Sequence, residues 1–175
     1  MTQTASELTF SQQLNQNPKD AAERDAILAN PGFGDYFTDH TAVVDFKVDA
    51  NGDGGWSNAR IEPYGPIALD PAAAVLHYGQ EIFEGMKAYR HADGSVWTFR
   101  AEANARRLNA SARRLALPEL PEAVFLDSLR ELVKADQGWI PSGDGEALYL
   151  RPFMIATEAF LGVRPAREVS YRVIA

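Results

Sequence analysis

Between Leu76 and Tyr89 this chain has to change from one kind of backbone to another, and few folds accommodate the residues it uses to do so. Upstream, Asp70-Pro71 is a helix start. The acid can cap, and the proline's fixed φ suits the first helical position, where its missing N–H costs nothing. The pattern predicts a helix from Asp70 through Ala74 and Leu76 toward Phe83, stopped by Gly85. Met86 to Arg90 and residues 95–99 then read as the two strands of a hairpin turning on Ala92-Asp93-Gly94. The run Leu76-His77-Tyr78-Gly79-Gln80-Glu81-Ile82-Phe83-Glu84-Gly85-Met86-Lys87-Ala88-Tyr89 mixes aromatics, a histidine, glycines and charges. Such a composition is costly for a segment that only connects.

The flanking segments supply the rest of the layout. Residues 1–17 are polar and aperiodic and read as an extended arm or as disorder. Residues 20–29 read as a short helix closed by Asn30-Pro31-Gly32, with Gly32 and Gly34 looping into Tyr36-Phe37-Thr38-Asp39-His40. In 43–49, Val44, Phe46 and Val48 alternate with Asp45, Lys47 and Asp49, the period of a strand. Asn51-Gly52-Asp53-Gly54-Gly55 turns the chain into a second strand over 56–61. Downstream, 101–117 carries Leu108, Ala112 and Leu115 at helical spacing, Pro118 and Pro121 break the helix, and 122–135 forms another. Residues 147–156 and 169–175 read as strands, the latter alternating Val169, Tyr171 and Val173 with Ser170, Arg172 and Ile174. The order β-β-α-β-β-α-α-β-β implies an α+β fold, an antiparallel or mixed sheet with helices packed on it. Residues 1–30 are expected to be an arm and short helix, and 31–175 one domain. The last strand reaches Ala175 without a cap or tail, so the chain is expected to be the front piece of a longer polypeptide.

Composition narrows the function. At 46% hydrophobic and 23% charged, the chain has the balance of an ordinary soluble protein. No apolar run reaches the ~20 residues a membrane helix needs, and no basic-then-apolar leader opens the chain. There are no cysteines, which excludes disulfides, thiolate metal sites and cysteine nucleophiles. A cytoplasmic location is the default expectation. The net charge of -7 argues against generic nucleic-acid or anionic-membrane binding. Asp49-Ala50-Asn51-Gly52-Asp53-Gly54 matches the front of a calcium-binding loop, but Arg60 stands where a bidentate carboxylate is required. His40, His77 and His91 lack metal-ligand spacing, and no zinc site is expected.

One region departs from the acidic background. From Trp97 to Leu117 stand Arg100, Arg106, Arg107, Arg113 and Arg114 against the single acid Glu102. Arg107, Ser111 and Arg114 share one helix side beside the apolar stripe, where a planar fork of donors could hold a phosphate. The same arginines could equally pair with acids elsewhere on a solvated face. Arg106 points about 100° away and is the better candidate for a solvated residue. By the residues alone, Tyr78, Phe83 and Tyr149 are most simply core aromatics. Arg151, next to Pro152, suggests an edge strand projecting a charge into a cleft.

Leu76-His77-Tyr78, Phe83-Glu84-Gly85-Met86-Lys87, Tyr149-Leu150-Arg151-Pro152 and Leu161-Gly162-Val163, in that order, resemble the branched-chain aminotransferases. These are pyridoxal 5'-phosphate enzymes of fold type IV, and the likeness runs from Phe33 to Ala175. It implies the small N-terminal domain of that fold. It also implies that the cofactor phosphate is held by an arginine in a Phe-Arg-x-x-x-Asn-x-x-Arg pattern, here Phe99-Arg100-Ala101-Glu102-Ala103-Asn104-Ala105-Arg106-Arg107, so that the role falls on Arg107. Phe83 and Tyr149, with Phe37 beside them, would wall the pocket for the substrate's side chain. Arg151 would receive the distal carboxylate of glutamate or 2-oxoglutarate. Tyr78 and Val163 would reach the partner's site in a homodimer. The implied reaction moves an amino group between leucine, isoleucine or valine and 2-oxoglutarate. The Schiff-base lysine is none of Lys19, Lys47, Lys87 and Lys134, since Lys87 matches a non-catalytic family position. It is expected beyond Ala175, in a second domain that also brings the other phosphate donors and the acid for the pyridine nitrogen. The chain alone is therefore expected to be inactive. Two alternatives stand beside this: another fold type IV enzyme (a D-amino acid aminotransferase or aminodeoxychorismate lyase), or a stand-alone anion-binding or dimerisation module built on helix 100–114.

Overall fold

The computed structural model describes residues 8–175; the start of the predicted arm, residues 1–7, lies outside the described residues. In chain order the elements are β1 (Ser11–Gln12), α1 (Ala21–Leu28), β2 (His40–Val48), β3 (Gly54–Pro63), α2 (Ala74–Tyr78), β4 (Glu81–Phe83), β5 (Met86–Arg90), β6 (Val96–Thr98), α3 (Ala101–Arg114), α4 (Glu122–Ala135), a 3-10 turn (Gln137–Trp139), β7 (Leu148–Ala156) and β8 (Glu168–Ile174). The strands form one sheet in the order β1-β3-β2-β8-β7-β5-β6, with β4 also on β7. Every pairing is antiparallel except β1 with β3. The sheet is therefore mixed, and the fold is the α+β arrangement read from the sequence.

One face of the sheet carries the helices. Leu108 and Ala112 of α3 and Phe125, Leu129 and Leu132 of α4 pack with Ala42, Val44, Leu150, Met154, Tyr171 and Val173 in a single core. Each fully buried large side chain contributes about 1.5–3 kcal/mol. Tyr171 is wholly buried on β8; burial drives its phenol far above the usual range, and its hydroxyl is satisfied by Ser128 Oγ at 2.9 Å. β2 lies between β3 and β8. Val43 and Val44 are both at 0% exposure, so the expected two-sided alternation fails where both faces are covered.

The described part of the arm is not loose. Phe10 is buried, Ser11–Gln12 pair with Arg60 and Ile61, and the Asn15 N–H donates to His40 Nε2 at 2.9 Å. That bond leaves the ring proton on Nδ1, which donates to Asp136 Oδ1 at 2.6 Å. Asp136 Oδ2 also accepts the His40 N–H, while Asp39 accepts Trp139 Nε1–H and the Lys19 N–H. These bonds close the arm and the 3-10 turn onto the start of β2.

Three expectations are corrected. The helix predicted over 70–83 is only Ala74–Tyr78: Gly79 takes φ 58, closes the helix onto the Val75 carbonyl, and the chain enters β4. Asp70 caps a turn instead, its Oδ1 accepting from the Ala72 N–H. Helix α3 stops at Arg114 rather than Leu117. Ala116 adopts φ 52, and the Leu117 N–H reaches back to the Ala112 carbonyl at 2.9 Å, a Schellman end made without glycine. Finally, β7 is an interior strand between β8 and the β4/β5 line, so Arg151 and Pro152 are not on an edge.

Candidate active site

The site is organised by the line of strand from Glu81 to Arg90. β4 and β5 are separated by Glu84-Gly85, yet they meet β7 in one register: Phe83 lies opposite Phe153 and Met86 opposite Leu150. The break falls across from Arg151 and Pro152. The Glu84 N–H donates to the Pro152 carbonyl at 2.8 Å, but proline has no N–H to return. The proline thus sits centrally, where the neighbouring strand is interrupted. Side chains alternate through the break. Ile82, Glu84, Met86 and Ala88 are buried, and Glu81, Phe83, Lys87 and Tyr89 are exposed.

On the open face, Arg151 lies 4.5 Å over the Phe83 ring and 5.3 Å from that of Tyr149. Its Nε and Nη2 both donate to the Tyr149 hydroxyl, at 3.1 and 2.8 Å. The phenol oxygen is then an acceptor for the guanidinium, and its own proton is free to point elsewhere. A Cβ on Gly85 would collide with that hydroxyl, so the absent side chain is what lets Tyr149 lie there. Phe33 meets the Tyr149 ring edge-on at 5.2 Å, and Phe37 stacks on Tyr64 at 4.9 Å. A cleft of about 380 Å³ opens among Phe33, Phe37, Trp139, Tyr149, Arg151 and Ile174. It is an apolar slot with one charged group, a form that suits an aliphatic chain ending in, or replaced by, a carboxylate.

On the helix face, Glu84 is 3% exposed and Arg107 68%. Glu84 accepts from Arg107 Nε and Nη2 at 2.7 and 2.6 Å and from Asn104 Nδ2 at 2.8 Å. The carboxylate holds the Arg107 proton more tightly than usual, through its hydrogen bonds first and its charge second. Arg107, Ser111 and Arg114 line one shallow depression with Ile82, as the helical spacing implied. Arg106 and Arg113 turn to Glu122 (3.6 Å) and Glu119 (2.6 Å), the solvated-face alternative.

The structure thus brings Tyr149, Arg151 and Phe37 into one cleft with Phe83 beneath Arg151, and it places Arg107 in a second depression. Tyr78 and Val163 are apart from both: the Tyr78 hydroxyl donates to the Leu161 carbonyl, and Val163 is 89% exposed. Two contributors escaped sequence reasoning. Phe33 carried no pattern beyond its flanking glycines. Glu84 was hidden by the helical reading of 70–83; strand parity with Ile82 and Met86 would have marked it as a buried acid. The calcium-like turn has a local use, since Asp49 Oδ1 accepts the N–H groups of Asn51 and Asp53.

No family model matches the chain. The branched-chain-amino-acid aminotransferase of Mycolicibacterium smegmatis is 61% identical over 169 residues, 96% of this chain and 45% of that protein. Its counterpart in Mycobacterium tuberculosis H37Rv is 57% identical over 173 residues, 98% of this chain and 46% of the relative. The chain is a homologue of the branched-chain-amino-acid aminotransferases. It spans about half the length of the curated relatives it matches. The crystal structure of the Escherichia coli branched-chain amino acid aminotransferase shares the fold, with a TM-score of 0.56 at 18% identity, over 77% of this chain and 38% of that one. So does the branched-chain aminotransferase of Thermoproteus uzoniensis with norvaline, at TM-score 0.56 and 20% identity over 78% and 40%. The fold expected from the resemblance, that of part of a fold type IV aminotransferase, is the one observed. Among the described residues, no helix is long and apolar enough to cross a membrane.

Proposed function

We propose that this chain is the substrate-recognising part of a pyridoxal 5'-phosphate-dependent aminotransferase that exchanges amino groups between leucine, isoleucine or valine and 2-oxoglutarate. One observation supports the reading: β7 brings Tyr149 and Arg151 into an apolar cleft, with Phe83 of the interrupted neighbouring strand under Arg151, while Ile82 of that same strand shares a separate depression with Arg107. Phe37, Phe83 and Tyr149 hold an aliphatic side chain and exclude water from it. Arg151 meets the distal carboxylate when glutamate or 2-oxoglutarate occupies the same slot. The Tyr149 proton, free because its oxygen faces Arg151, is placed to donate to the ligand.

The residues fit the cofactor's phosphate. Two of the five guanidinium N–H groups of Arg107 are spent on Glu84, and the end-on donors remain for an anion beside Ser111 and Arg114. Bound pyridoxal phosphate would supply the electron sink that lets an amino group leave one carbon skeleton and join another. None of Lys19, Lys47, Lys87 and Lys134 is assigned to the cofactor; its lysine belongs to a second, lysine-bearing domain outside this chain. Tyr78 and Val163 serve the partner's site in a cytoplasmic homodimer.

The full-length polypeptide is expected to form glutamate from 2-oxoglutarate with L-leucine and not with D-alanine. Activity confined to D-alanine rejects the assignment. The 175-residue chain alone, treated with pyridoxal phosphate and borohydride, is expected to gain no specific adduct. Stoichiometric labelling of Lys87 overturns the lysine assignment.

A further inference from the structure

Arg107 is a long, solvated side chain, 68% exposed, and an arginine in that state samples many rotamers. Here it is not free to do so. Its Nε and Nη2 meet a carboxylate that is 3% exposed and fixed from three sides. The backbone N–H of Glu84 is tied to Pro152 on β7, its Oε2 takes a second donor from Asn104 one turn earlier on α3, and Asn104 also reaches the Gly85 carbonyl at 3.4 Å. The bidentate contact uses the Nε edge of the guanidinium and leaves the end-on pair of donors unspent, in a residue that lines one depression with Ser111 and Arg114. What this buried carboxylate does in the structure is take one edge of Arg107 and hold it against Asn104.

We propose that Glu84 is a positioning residue for phosphate recognition: the Asn104–Glu84–Arg107 chain of hydrogen bonds pre-sets the guanidinium fork, so that affinity for the phosphate of pyridoxal phosphate depends on an acid that never touches it. This rests on the assignment of Arg107 to the phosphate. The positioning lowers the ordering cost of binding, because the side chain is already held in one orientation before the anion arrives.

The test uses the full-length polypeptide, stripped of cofactor, and compares dissociation constants for pyridoxal phosphate and for pyridoxal, which lacks the phosphate. Glu84→Gln keeps the shape and removes the charge. It is expected to weaken pyridoxal phosphate by about tenfold or more, the scale of one charged hydrogen bond, while pyridoxal binding changes little. Arg107→Met is expected to lose the same preference for the phosphorylated form, and adding Glu84→Gln to it should cost nothing further. That double variant leaves no lone buried charge, so it reads out even where Arg107→Met alone folds poorly. Equal weakening of both ligands by Glu84→Gln makes Glu84 a structural residue only and overturns the proposal. So does an unchanged preference in Glu84→Gln beside a lost one in Arg107→Met. If Arg107→Met keeps the preference, the phosphate assignment itself falls.

Discussion

Glu84 and Asp136 are both acids removed from water, at 3% and 2% exposure, and each answers to a basic partner on another element. They differ in what that partner has left over. His40, 7% exposed, uses one ring nitrogen on Asp136 and the other on the Asn15 N–H, so the cluster is closed and nothing remains to offer a ligand. Arg107 meets Glu84 with one edge only, its other donors are unspent, and the residue lines an open depression. A buried acid whose partner is exhausted is a staple; one whose partner keeps exposed donors is a mount.

The contrast can be broken most forcefully at the staple. Asp136→Ala strips the acceptor from both the His40 ring and its backbone N–H, inside the protein. A loss of about 3 kcal/mol is expected in urea unfolding, with the ratio of pyridoxal phosphate to pyridoxal affinity unchanged. If that ratio moves, the two acids are not separable in the way described. Glu84→Gln should do the converse: change the ratio while losing no more than about 1–2 kcal/mol of stability, since the amide still accepts one hydrogen bond and Arg107 is solvated. Gly85→Ala probes the other face of the same strand. Pushing the Tyr149 hydroxyl aside should raise KM for L-leucine and 2-oxoglutarate several-fold, and pyridoxal phosphate affinity should hold. An effect on the cofactor alone would place Gly85 with the mount instead. The smallest effect lies outside both clusters. Ala116→Gly relieves a left-handed alanine at the end of α3 and should stabilise the fold by about 1 kcal/mol, seen as a higher unfolding midpoint.

Much of the layout was legible because local signals and packing agreed. α4 spans the predicted 122–135, the hairpin of β5 and β6 turns where Asp93-Gly94 said it would, and β8 buries Val169, Tyr171 and Val173 as read, though Ser170 is buried between them. Legibility failed where tertiary partners overrode local pattern. The helix expected over 70–83 was drawn from a capping pair and apolar spacing. β7 instead captures Glu81–Phe83 by pairing, which no local property announces. Pro152 suggested an edge because a central proline ordinarily breaks a ladder. Here the ladder breaks on the neighbouring strand, and the missing N–H falls at that gap. The end of α3 was missed because alanine stands where glycine usually marks such a turn. In the site, Arg107, Ser111 and Arg114 were found together by helical spacing. Glu84 was not, because its burial depends on strand parity in a segment that had been read as helix.

The gap opposite Pro152 has a geometric consequence. Two short strands grip β7 separately, and Glu84-Gly85 is the joint between them. A hydrocarbon group against Phe83 and an anion at Arg107 would lie on opposite faces of that strand. The apolar wall at Phe83 and the acid beneath Arg107 are thus set by neighbouring peptide units of one strand.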